Sequence, residues 1–232
     1  MSSENPKRRI YSQIATLLRS LGQENRLELL EILGQGIWAV EDLARRSGMS
    51  VANASQHLHV LRDAGLVLSS RSGKHVMYRL ADSRVNEALC LVRTLAEAHS
   101  SEVRATIDKN FLSVDPVEPM SLTEAKARLK TGDIVFLDVR DFEEYERGHI
   151  PNALHIPAEN LEVMLAHLPT NLEIIAYCRG PYCVLSYKVV EILRRHGFKC
   201  RRLQDGFPEW KMVGGPVSQG QVWTAAAASF SA

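Results

Sequence analysis

A helix cannot run through Ser113-Val114-Asp115-Pro116-Val117-Glu118-Pro119. Pro116 and Pro119 lack backbone donors, their rings clash with the preceding turn, and each pushes the residue before it out of the α region. Two prolines so close together, near the middle of 232 residues, divide the chain into halves of ordinary domain size. The patterning changes at the same place. Before it, apolar residues recur at helical three and four spacing; after it, short apolar runs alternate with helical stretches. The expected organisation is a first domain over residues 1–112, a linker over 113–119, a second domain over 120–217, and a flexible Ala/Ser-rich tail over 218–232.

Composition narrows the function. Hydrophobic residues make up 45% of the chain and charged ones 24%, ordinary globular values, so each half can bury a core. The formal net charge is +1 and the signs are balanced in both halves, so a nucleic-acid surface has to be a local patch. Met1 to Arg9 is polar and basic, and no apolar run approaches the ~20 residues of a membrane span. A cytoplasmic location without a membrane partner is therefore expected. Of the four cysteines, Cys90, Cys178, Cys183 and Cys200, no two have C-x-x-C spacing, which points away from zinc and toward at least one reactive thiol. Neither a metal nor a cofactor is expected.

In the first half, Ile10 to Leu21 and Arg26 to Leu33 read as amphipathic helices, Val40 to Ala44 as a third, and Ser50 as the cap of a fourth that runs to Ala64. A glycine turn at Gly48 separates the last two, the layout of a helix-turn-helix. Ala54, Leu58 and Leu61 share one side of the fourth helix. Asn53, Ser55, Gln56, His57, His59 and Arg62 offer hydrogen bonds on the others, suited to base edges and phosphate. Gly65 to Leu68 and His75 to Leu80 then form a hairpin with Arg71 and Lys74 at its basic tip, placed as a wing that grips phosphate.

The run S-Q-H-L-H-V-L-R-D-A-G-L-V, Ser55 to Val67, followed by S-R-S-G-K-H-V-M-Y-R-L, resembles the winged helix-turn-helix of the ArsR/SmtB family of bacterial transcriptional repressors. The resemblance implies binding to double-stranded operator DNA as a homodimer, with Ile10–Leu21 and Val85–Phe111 as interface helices. The residues agree: Val85, Leu89, Val92, Leu95 or Ala96, Val103 and Ile107 form an apolar stripe too long for one small domain to cover. The family's metal sites do not carry over. The helix before the recognition helix has no C-x-C pair. On the last helix Asp82 is present, but Arg84, Leu95 and Ala98 stand where histidines are expected, and His99 alone reads as a surface or interface histidine. Cys90, between Leu89 and Leu91, reads as core packing.

In the second half, strands at Ile134–Leu137, Ala153–Ile156, Glu173–Tyr177 and Lys199–Leu203 alternate with helices, the pattern of a mainly parallel sheet covered on both faces. Working sites in such sheets lie at the carboxyl ends of strands. Cys178 falls there, in I-I-A-Y-C-R-G-P-Y-C-V-L-S, between a strand end and a helix start. Backbone N–H groups and the helix dipole at such a place favour thiolate. A small buried filler is the plain alternative.

That loop, F-L-D-V-R-D-F-E-E-Y-E-R-G-H-I-P-N-A-L-H-I-P at Phe136 to Pro157, and L-Q-D-G-F-P-E-W at Leu203 to Trp210 together resemble the rhodanese domain. The resemblance implies that Cys178 is the catalytic nucleophile, accepting sulfane sulfur as a persulfide within a loop of Arg179, Gly180, Pro181, Tyr182 and Cys183. It also implies that Asp138, Arg140 and the turn at Gly148 to Pro151 are scaffold. Phosphatase and arsenate-reductase relatives carry Cys-x5-Arg, whereas Val184 stands at that position, so the loop has sulfurtransferase length. Arg179 either adds positive charge that attracts an anionic donor or simply faces solvent. Cys183 either begins the next helix or acts as a resolving thiol that attacks a Cys178 persulfide, and whether the two form a disulfide stays open.

The expected fold class is thus an α+β winged helix-turn-helix domain, mostly helical, followed by an α/β rhodanese-like domain. The expected function is a DNA-binding repressor that senses reactive sulfur or redox state, with thiosulfate, polysulfide or persulfide as the small sulfur donor. The rival is a sulfurtransferase whose winged helix localises or autoregulates it.

Overall fold

In the computed structural model, which describes residues 5–220, the chain falls into two compact units, Met1–Cys90 and Leu91–Ala232. The first opens with α1 (Pro6–Leu21), whose proline needs no donor at the first turn and whose Asn5 side chain accepts from the Lys7 N–H at 3.0 Å. There follow α2 (Glu24–Gln35), β1 (Trp38–Ala39), α3 (Val40–Arg46), α4 (Val51–Asp63), β2 (Val67–Ser72) and β3 (His75–Leu80). Next comes α5 (Arg84–His99), which the division between the units crosses at Cys90.

Ser50 caps α4, accepting from the Asn53 N–H at 3.2 Å, and buries Ala54, Leu58 and Leu61 as the periodicity requires. They join Leu29, Leu30, Trp38, Leu43 and Val67 in one core. The hairpin gains a strand that two residues cannot announce: β1 pairs antiparallel with β3, Trp38 opposite Tyr78, so the sheet order is β1-β3-β2. Trp38 fixes it, fully buried, with its indole N–H donating to the Ile32 carbonyl at 3.2 Å and the Arg46 guanidinium 3.9 Å over its ring. At the hairpin tip Gly73 has φ +59°, a conformation that an L side chain strains.

The helix expected over Val85–Phe111 is interrupted. Ser100 caps a new one, its hydroxyl accepting from the Val103 N–H at 3.3 Å, so α5 gives way to α6 (Ser101–Ile107) and a π-helical turn (Asp108–Leu112). A serine side chain competes with the backbone for hydrogen bonds, and the apolar stripe alone does not reveal it.

The second unit continues with α7 (Leu122–Arg128), β4 (Ile134–Asp138), α8 (Phe142–Arg147), β5 (Leu154–His155), α9 (Leu161–Met164), β6 (Glu173–Tyr177), α10 (Val184–Arg195), β7 (Cys200–Arg202) and α11 (Phe207–Met212). Its sheet has the order β5-β4-β6-β7, every pair parallel. All five residues of β6 are buried, as a central strand covered on both faces demands. Alternation sends Ile174, Ala176 and Cys178 into one core with Val189, Val190 and Leu193 of α10. Ile175 and Tyr177 enter the other, with Phe136, Phe207 and Trp210.

The proline-rich stretch is tied down within this unit. Asp115 is 1% exposed and accepts from the Arg202 Nε at 2.7 Å and from Arg194. Beyond residue 217, Ser218 exchanges backbone hydrogen bonds with His149 at 2.9 Å in each direction, so Ser218 is held in place where a loose tail is expected. The rest of that expected tail, from residue 221, lies outside the described residues.

Candidate functional site

β6 delivers Cys178, 2% exposed, to the carboxyl end of the sheet, where its carbonyl accepts from the Phe207 N–H at 3.0 Å. The chain turns at once, the Cys183 N–H donating to the Gly180 carbonyl at 3.2 Å, and Cys183 becomes the residue preceding α10. Cys178 and Cys183 are joined as a disulfide, their Cα atoms 6.2 Å apart. Cys183 is the more exposed of the two. The site is narrow on its other side: a Cβ on Gly206 would lie 2.4 Å from the backbone of Arg179 and Gly180, which only glycine avoids.

Arg179 is not placed as an open cation for an anionic donor. Its Nε and Nη2 donate to the two oxygens of the buried Glu144 at 2.7 Å each, and Nη2 reaches Asp141 at 3.2 Å. Burial pushes the Glu144 carboxyl up, and the Arg179 hydrogen bonds oppose that. The Pro181 carbonyl accepts from the Tyr187 hydroxyl at 3.2 Å. Tyr182 donates its phenolic hydrogen to Glu97 on α5, and burial foremost holds its pKa above the ordinary range.

Beneath the loop, Arg140 and Asp138 are both fully buried, 2.6 Å apart, and Arg140 also donates to the Gly148 carbonyl at 2.7 Å. The Tyr177 hydroxyl accepts from the Ile150 N–H at 3.1 Å. These contacts brace the Gly148 to Pro151 turn against β6. Cys200 is buried in the strand beside it, its thiol pushed up to about 11 chiefly by burial, so it stays protonated. Cys90 is half-buried.

In the first unit, Ser55, His59 and Arg62 of α4 and Ser69 and Arg71 of β2 line one cleft of about 290 Å³. Arg62 and His59 meet at 3.0 Å. Asn53 and Gln56 are exposed on α4, and Lys74 is exposed at the hairpin tip. His57 is half-buried, and its Nε2 lies 3.4 Å from Asn25 Nδ2 of α2, a contact with the neighbouring helix that the sequence does not announce. Asp82 is engaged by Arg84 at 2.7 Å. Among the described residues no cluster of three or more His, Cys, Asp or Glu side chains can hold a metal, and no helix is long and apolar enough to cross a membrane.

Sequence reasoning missed Glu97, Arg93, Glu144 and Glu209. Arg93 of α5 contacts Glu209 of α11 at 3.2 Å and Asp205 at 3.5 Å, and its guanidinium lies 5.8 Å from the Tyr182 ring centre. Only the capping-box spacing of Asp141 with Glu144 offered a local signal, and it speaks of a helix start.

Comparison with known proteins adds to this geometry. A rhodanese-like domain model matches residues 121–213 and a helix-turn-helix domain model residues 21–69. The HTH-type transcriptional regulator Rv0324 of Mycobacterium tuberculosis is 37% identical over 214 residues, 92% of this chain and 94% of that protein. The HTH-type transcriptional regulator NmtR of the same organism is 38% identical over 78 residues, 34% of this chain and 65% of NmtR. A solution structure of the homodimeric winged helix-turn-helix DNA-binding domain of a possible ArsR-family regulator from Mycobacterium bovis aligns at 32% identity and a TM-score of 0.40. It covers 44% of this chain and 94% of that one.

Proposed function

Because the chain belongs to the HTH-type transcriptional regulators and carries a C-terminal rhodanese-like domain, we propose that it is an ArsR-like repressor whose operator affinity follows the sulfur state of Cys178 and Cys183. The observation that carries this reading is the pairing of the two sulfurs across the loop. The Cys178 thiolate attacks the outer sulfur of a persulfide R–S–SH, releasing R–S⁻ and leaving Cys178–S–SH. The Cys183 thiolate then attacks Sγ of Cys178, HS⁻ departs, and the Cys178–Cys183 disulfide remains. In sum, one persulfide and two thiols become one thiol, one hydrogen sulfide and one disulfide. A site that ends each cycle oxidised needs a reductant before it turns over again, which suits a sensor better than the rival sulfurtransferase.

On the DNA side, Asn53, Ser55, Gln56, His59, Arg62, Arg71 and Lys74 are the contacts of this reading, α4 reading bases and the wing gripping phosphate. Homodimerisation belongs to it too. Ile10, Tyr11, Ile14 and Leu18 expose a row of apolar surface on α1, and Leu91, Val92 and Leu95 do so on α5. A cytoplasmic location follows from operator DNA as partner.

Electrophoretic titration of operator DNA, with and without inorganic tetrasulfide, tests the reading in wild type and Cys178→Ser. The wild-type affinity is expected to change and that of the variant to stay constant. Unchanged wild-type affinity, once mass spectrometry shows the pair modified, sinks the regulatory reading. Thiosulfate:cyanide turnover sustained over many cycles would instead favour the enzyme.

A further inference from the structure

α5 is one uninterrupted helix from Arg84 to His99. Near its start Val85 is buried, and Leu89 packs, in the core that contains Leu58 and Leu61 of the recognition helix. Its last turns, from Leu91 on, belong to the second unit, and there two of its side chains take hold of the sulfur site. Glu97 accepts from the Tyr182 hydroxyl, and Arg93, one turn earlier, pairs with Glu209 and Asp205. Glu209 in turn accepts from the Gly206 N–H at 3.1 Å, and the adjacent Phe207 N–H donates to the Cys178 carbonyl.

Opening or closing the Cys178–Cys183 bond changes the constraint on four residues, Arg179 to Tyr182. Arg179 is anchored to Glu144 and Asp141 of α8 and its cap, Gly180 has no side chain, and Pro181 presents its carbonyl to Tyr187. Tyr182 reaches α5 through Glu97. It directly precedes Cys183, and its ring lies 5.9 Å from that of Phe111, which also packs on Tyr187 at 5.0 Å.

We infer that Tyr182 and Glu97 form the link by which the sulfur state of the loop is read by α5, Tyr182 acting as a positioning residue for the regulatory response. This rests on the regulatory reading above and names its route. α5 is continuous from Glu97 back to the turns that carry Val85 and Leu89, so it is the path in the chain along which the state of the loop would reach them. Linkage makes the effect reciprocal: a DNA duplex that prefers one sulfur state must shift the disulfide equilibrium by the same factor.

The test uses the full chain, a fluorescent duplex selected from random-sequence DNA by the reduced protein, and two conservative variants, Tyr182→Phe and Glu97→Gln. Kd is measured after dithiothreitol and after inorganic tetrasulfide, with closure of the pair checked by mass spectrometry and folding by circular dichroism. Wild type is expected to show a ratio of Kd values of about tenfold. Glu97→Gln, outside the loop, is expected to close the pair normally; for Tyr182→Phe the ratio is taken only on protein whose closure mass spectrometry has shown, and both variants are expected to bring the ratio toward one. In wild type the duplex should also move the midpoint potential of the pair by about 30 mV, the equivalent of tenfold for two electrons, and in the variants it should not. A wild-type ratio retained in both variants overturns the Tyr182–Glu97 route while leaving the regulatory reading intact. A wild-type ratio of one overturns that reading and this inference with it.

Discussion

Both carboxylate oxygens of Glu144 accept hydrogen bonds from the Arg179 guanidinium, 2.7 Å each, and Glu144 is fully buried. The residue after the nucleophile thus holds the loop to α8. Removing one partner leaves the other uncompensated, and breaking a buried pair typically costs about 3–5 kcal/mol. Arg179 is 31% exposed, so solvent reduces the loss. Arg179→Gln is expected to cost about 1–3 kcal/mol in urea unfolding near pH 7. The pH dependence has a definite sign. Burial raises the folded-state pKa of Glu144 above 4.5, and the variant removes the hydrogen bonds that oppose this rise. The folded variant therefore binds a proton more tightly than the unfolded chain, and its deficit should shrink as pH falls from 7 toward that raised value. A deficit that grows on acidification would contradict the assignment.

Arg140 and Asp138 are sealed off more completely, both fully buried. Arg140→Met is expected to cost about 3–5 kcal/mol by leaving the Asp138 charge unpaired. Adding Asp138→Asn should restore a good part of it, and differential scanning calorimetry of the single and double variants reads the coupling directly.

Gly206→Ala puts a methyl group 2.4 Å from the backbone of Arg179 and Gly180. Overpacking of this kind costs about 1–3 kcal/mol. Because the displaced atoms belong to the Cys178 loop, tetrasulfide labelling of Cys178, followed by mass spectrometry, should slow beyond what the loss of stability explains.

Charge removal on the DNA-facing unit separates phosphate contacts from packing. Arg62→Ala and Lys74→Ala should each weaken DNA binding and flatten the slope of log K against log salt by about 0.9. His57→Ala, whose imidazole meets Asn25 of α2, should leave that slope unchanged and lower the melting temperature instead. Fluorescence anisotropy at several salt concentrations distinguishes these outcomes.

Cys183→Ser should trap the persulfide on Cys178, and Cys178→Ser should trap nothing. Intact mass after tetrasulfide treatment gives the added sulfur directly.

Much of this was legible without coordinates wherever the controlling physics is local. Helical periodicity placed α2, α4 and α10, and Ser50 marked where α4 begins, because a cap acts within three residues. β6, from Glu173 to Tyr177, was legible from the apolar run Ile174 to Tyr177 because a central parallel strand is buried on both faces. Two-residue β1 carried no periodic signal and formed only through Tyr78 and Met77 across the sheet. Ser100 ended α5 inside an apolar stripe that seemed continuous, because one side-chain hydrogen bond outweighed the pattern.

By itself, the sequence determined that a cysteine stands between a strand end and a helix start in a loop with Val184 where Cys-x5-Arg relatives carry arginine, and that a basic hairpin follows a polar-faced helix. Only the tertiary structure decided which charges meet. Arg179 found Glu144 from 35 positions away, Arg202 found Asp115 from 87, and Tyr182 found Glu97 from 85. Ion pairs and buried hydrogen bonds depend on distance in space and on exclusion of water, and neither is written in the spacing of residues along the chain.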